Sequence, residues 1–128
     1  MVRQPKGSHI CGQVAVSNLT GRPLKEVVSL VGHAHGTKTK ELVKVLRKLG
    51  FSCKNKCVRC RGLVPPNALL QLHEDGDKRH WHWLAMKNGR ILDGATMKSS
   101  KDEFDINLFS GAVITSYLEV WKGRRYAV

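Results

Sequence analysis

The stretch HWHWLAMKNGRILDG, residues 80–94, restricts the folds open to this chain more than any other segment. Asn-Gly between two apolar runs is the strongest short-range hairpin signal, because both loop positions of a type I′ turn need positive φ, which these residues tolerate. With Asn88 and Gly89 as the loop, Lys87 pairs with Arg90, Met86 with Ile91, Ala85 with Leu92 and Leu84 with Asp93. Side chains alternate along a strand, so Asp93 shares a face with Leu84, His82 and His80. His82 is its diagonal neighbour, about 7–8 Å away between backbones, close enough for an imidazole and a carboxylate to meet. His80 lies one step farther, and a bulged or four-residue loop would exchange the two histidines. Trp81 and Trp83 fall on the opposite face, where packing against helices is the expectation.

Upstream of Gly50 the apolar period is helical. Val14, Ala15 and Leu19 predict a short helix from Cys11 that stops at Gly21. Pro23 opens a second, with Leu24, Val27, Val28 and Val31 on one face and Gly32 closing it. After the loop HAHGT, Thr37 or Thr39 is the expected cap of a third helix whose stripe is Leu42, Val45, Leu46 and Leu49, ending at Gly50. Downstream the punctuation is that of strands: FSCKNKCV as a strand or strand-loop, then NALLQLHE after a Pro-Pro that forbids helix, a DGDK turn, the hairpin, and AVITSYLEVWK. N-terminal helices packed on a C-terminal antiparallel sheet make an α+β fold. No repeat or linker interrupts it, so residues 1–128 are expected to form a single domain, long enough to bury an ordinary core without staples.

Function enters through Cys11. A thiol at a helix N-terminus faces the positive end of the helix dipole, and a nearby imidazolium lowers its pKa further, giving the thiolate that is the competent nucleophile. Cysteine on a helix start, histidine on a strand and an acid on the next strand are the nucleophile, base and orienting group of covalent catalysis.

In their order, Gln4-PKGSHI-Cys11-Gly12 followed by His80-W-His82-WLAM and Leu92-Asp93 resemble the papain-like cysteine peptidases, and within them the bacteriocin-leader (double-glycine) peptidase branch and its small stand-alone relatives. The resemblance runs from Gln4 to Asp93 and includes the TKTKELVKVLRKLGF segment before the sheet. It implies a papain-like fold with Cys11 as nucleophile, His82 as general base, Asp93 as its orienter and Gln4 as an oxyanion-hole donor beside the Cys11 N–H. The implied activity is cleavage of a peptide or isopeptide bond in a peptide or protein substrate through an acyl-enzyme, machinery that also serves acyl transfer to an amine. Two departures from the family's pattern are that six residues separate Gln4 from Cys11 where five are usual, and that Gly94 stands where proline commonly follows the aspartate.

Other features suggest a different class of function. The net charge is +12, from 22 Lys and Arg against 10 Asp and Glu, which favours an acidic partner. The basic residues are dispersed, with few aromatics beside them for base stacking, so nucleic acid is not the expected partner. Cys53, Cys57 and Cys60 could bind zinc with His73 or His80 as a fourth ligand, but one C-x₂-C pair and an odd cysteine fall short of two paired halves. No cofactor is therefore expected. The alternative to an enzyme is a catalytically silent papain-like or zinc-pinned basic module that binds nucleic acid or an acidic protein. His33 and His35 read as loop histidines. The opening residues lack a secretory apolar segment and no run approaches the roughly 20 residues of a membrane span, so a cytoplasmic location is the expectation.

Overall fold

A computed structural model of the chain describes residues 1–74, 81–94, 98–100 and 112–123. Three helices come first: α1 (Cys11–Thr20), α2 (Leu24–Val31) and α3 (Thr39–Lys48). Among the described residues seven strands follow: β1 (Phe51–Cys53), β2 (Val58–Arg59), β3 (Ala68–Glu74), β4 (Trp81–Lys87), β5 (Arg90–Asp93), β6 (Lys98–Ser100) and β7 (Ala112–Lys122). Every strand pairing is antiparallel, in the order β1-β7-β3-β4-β5-β6, with β2 also on β7. The α+β class and the single run of helices before the sheet follow the expectation. None of the helices among the described residues is long and apolar enough to cross a membrane.

The helix ends are set by the glycines at which they stop. Gly21 and Gly32 sit at φ 75° and 93°, closing α1 and α2 with N–H groups bonded to the Ser17 and Val28 carbonyls. At α3 the cap is Lys38, and neither Thr37 nor Thr39 takes that position as expected. Glu41 reaches back to accept from the Lys38 N–H at 3.0 Å, while Thr37 is buried against Gly12 of α1.

The β4–β5 hairpin keeps three of the four expected pairs, Lys87↔Arg90, Met86↔Ile91 and Ala85↔Leu92, with Asn88 at φ 51° and Gly89 at φ 78°, and the ladder stops short of the expected Leu84–Asp93 pair. The DGDK turn before it lies outside the described residues. Central strand β3 is apolar on both faces: Leu69 packs with the helices, in a core that includes Val16, Leu42, Leu46, Trp83 and Leu118, and Leu70 packs on the far side with Leu84, Met86 and Ile91. Both leucines are fully buried. The Trp81 side chain lies outside the described residues, whereas Trp83 takes the predicted place against the helices.

The N-terminal segment crosses the end of β5. The Gln4 N–H donates to the Gly94 carbonyl at 2.9 Å, and Asn18 of α1 clamps Val2, accepting from its N–H at 2.5 Å and donating to its carbonyl at 3.4 Å. A Cβ on Gly94 would lie 2.4 Å from Val14 Cγ1 and 2.6 Å from the Val2 carbonyl oxygen, so the chain has no room for a side chain there. Gly94→Ala is expected to cost about 1–3 kcal/mol in urea unfolding, through overpacking. Gly36→Ala, into open space, is expected to stay within about 0.5 kcal/mol.

Candidate active site

The site lies where β4 and β5 part. Their ladder runs out at Ala85↔Leu92, and beyond it the Trp83 N–H turns to the Cys11 thiol, which enters from the start of α1. That approach needs Gly12: a Cβ there would sit 2.0 Å from Thr37 Oγ1 and 3.3 Å from Leu42 Cδ2. Glycine next to the cysteine therefore lets the first turn of α1 pack against the α2–α3 loop and still present the thiol to β4.

Beside Cys11, His82 is held at Nε2 by Asp93 Oδ1, 3.1 Å away. The aspartate is 3% exposed, so its carboxylate is a fixed, poorly hydrated partner. With Nε2 engaged, Nδ1 is the ring nitrogen left for the thiol. The diagonal contact read from the hairpin register is thus present, and His82 is the histidine that makes it. His80 lies outside the described residues.

The two groups shift each other. Burial pushes the Cys11 thiol up, but it is outweighed by the hydrogen bond and charge of His82 and by the N–H groups of Trp83 and Gly12, leaving the pKa below the ordinary thiol value. Burial likewise opposes the His82 cation, but Asp93 and Cys11 together raise it to about 9. The first turn of α1 has no side-chain cap and no acidic residue, so its N–H dipoles add to the field at the sulfur. The lowered thiol and the raised imidazole both favour a thiolate–imidazolium pair, and such a pair can attack a carbonyl and protonate a leaving group.

Gln4 stands at the end of β5 through its backbone. One N–H of its side-chain amide is spent on the Ser8 carbonyl at 3.1 Å, which leaves the second N–H of Nε2 for a ligand. Its Oε1 is buried with no hydrogen-bond partner among the described residues. The hold of Asn18 and Gly94 on this segment was not read from the sequence, since backbone anchoring leaves no residue pattern.

His33 and His35 are drawn elsewhere. Their carbonyls accept from the amide of fully buried Gln13 at 3.3 and 3.0 Å, and His33 Nε2 meets Glu41 Oε2 at 2.5 Å. The candidate zinc cysteines take different partners. Cys53 is in the helix-side core, Cys57 lies 3.7 Å from Thr39 Oγ1, and Cys60 is bonded through its N–H to the Thr115 carbonyl. Burial pushes the Cys53 and Cys57 thiols up. His73 Nδ1 is engaged with Thr115 Oγ1 at 2.6 Å, and among the described residues no three His, Cys, Asp or Glu side chains converge.

Comparison of the chain with protein families finds no matching family, and comparison with curated proteins finds no similar sequence.

Alkylation by iodoacetamide, followed at each cysteine by peptide mass spectrometry across pH, tests the pair. Cys11 is expected to reach its plateau rate at lower pH than a free thiol of pKa about 8.5, with Cys53 and Cys57 reacting only at higher pH. In His82→Ala the Cys11 curve should move to higher pH; an unmoved curve would separate the thiol from the histidine.

Proposed function

We propose that this chain is a papain-like cysteine peptidase or amidase that cleaves a peptide or isopeptide bond. The observation that carries the reading is the His82 ring, bound to buried Asp93 through one nitrogen and left to meet Cys11 through the other.

In the proposed reaction the Cys11 thiolate adds to the substrate carbonyl carbon, and the carbonyl electron pair moves onto oxygen. The Cys11 backbone N–H and the unspent N–H of Gln4 are the donors proposed for that oxyanion. As the C–N bond breaks, the His82 imidazolium gives its Nδ1 proton to the leaving amine, and Cys11 is left as a thioester. Water then attacks, His82 takes its proton, the carboxylic acid departs, and the thiolate and imidazolium are restored. An amine in place of that water gives acyl transfer.

The pH dependence has two limbs of opposite sign. Activity falls on the acid side as the thiolate gains a proton below the lowered Cys11 pKa. It falls on the alkaline side as His82 loses its proton near 9 and no longer protonates the leaving group.

Acylation by p-nitrophenyl acetate tests the chemistry without knowledge of the natural substrate. A burst of nitrophenolate stoichiometric with protein, and an acetyl group on the Cys11 peptide, are expected. Cys11→Ala should abolish both, and His82→Ala should slow deacylation by about 10²–10⁴-fold. No burst and no acetylated Cys11 in the intact protein would overturn the proposal.

A further inference from the structure

A groove of about 920 Å³ runs along α3 and the 54–57 loop, on residues that the site around Cys11 does not use. Its floor is apolar, formed by Val43 and Cys57. Its rim is cationic. Lys40, Lys44 and Lys48 stand four residues apart in one column on α3, Arg47 lies beside them, and Lys56 faces them from the loop. All five are exposed, and none has a carboxylate partner among the described residues. Arg47 is also fixed in place, donating to the Cys53 carbonyl at 3.0 Å and to Asn55 Oδ1 at 2.8 Å.

Helix stability does not explain this arrangement. Cations in the last turn of a helix suit its dipole, which accounts for Arg47 and Lys48. Lys40 sits in the first turn, where the dipole disfavours a cation, and Lys40–Lys44 and Lys44–Lys48 are like-charge i,i+4 neighbours, which weaken a helix.

We infer that this groove binds an acidic peptide segment of a protein partner, with carboxylates meeting the lysine rim and at least one apolar side chain on Val43 and Cys57. The column from Lys40 to Lys48 spans about 12 Å, the length of two helical turns of such a segment. No aromatic ring lines the groove, so it lacks the stacking platform that single-stranded nucleic acid uses. Its apolar groups lie at the bottom of a concavity, whereas a membrane-surface site projects them. The inference shares no residue with the proposed reaction and holds whether or not Cys11 turns over a substrate.

Fluorescence anisotropy of the full chain with a fluorescein-labelled peptide, EELLEELLEE, tests it. Binding is expected to weaken as salt rises. Lys44→Glu with Lys48→Glu should weaken it by about tenfold or more, and the charge-matched pair Lys25→Glu with Arg90→Glu, away from the groove, by less than about threefold. Lys44→Gln, which removes both like-charge contacts, should weaken binding without lowering Tm. Equal loss in the two charge-reversed pairs, or no binding at low salt, would overturn the inference. So would competition by an all-glutamate peptide or an oligodeoxythymidine as strong as by the unlabelled mixed peptide.

Discussion

The first turn of α1 against the parting ends of β4 and β5 is the contact on which the rest of this structure depends. It brings a thiol, a strand N–H and an imidazole together, and it is possible only because two close approaches are left without side chains. At Gly12 the helix meets Thr37 and Leu42, and at Gly94 the strand meets Val14 and the N-terminal segment. The tolerance is small: at either position a Cβ would overlap a neighbouring atom by an ångström or more. The same contact fixes the electrostatics. A desolvated thiolate and imidazolium stabilise one another only at short range, and buried Asp93 keeps the ring oriented and charged.

The apolar clusters on the two faces of the sheet hold this polar site steady. Trp83 and Ala85 belong to the helix-side core while Leu84 and Met86 belong to the other, so β4 is gripped on both sides just after His82. A strand packed this way cannot slip by one residue without turning its whole buried set outward. The spacing between His82 and Asp93 is thus protected by the core as well as by the turn.

Much of this was legible in the residues, for reasons that differ by element. The Asn88–Gly89 turn is local chemistry, and so the register and the His82–Asp93 contact could be worked out with a pencil. The stop glycines of α1 and α2 are local too. The cap of α3 was misread because two threonines offered themselves, and tertiary packing claimed Thr37 for the Gly12 contact, leaving Lys38 with Glu41 to begin the helix. The short β6 and the anchoring of Gln4 were not anticipated. Backbone pairing at a sheet edge, and a hydrogen bond from Gln4 to the Gly94 carbonyl 90 residues away, depend on groups that every residue carries alike. The lysine column of α3 was visible as charge, but the groove beside it needed the 54–57 loop to be in place.

The position of β7 has a consequence for how the chain reaches this state. It pairs with β1, β2 and β3, so the inner strand that joins them is made after all of its partners. Contacts this distant in sequence are slow to form, because loop closure must be completed before any of them contributes. During synthesis the helices and the β4–β5 hairpin can organise locally, while β1 and β3 wait with open edges that invite pairing with other chains. Deleting β7 would leave β1 and β3 without their shared neighbour and the helix-side core without Leu118 and Val120.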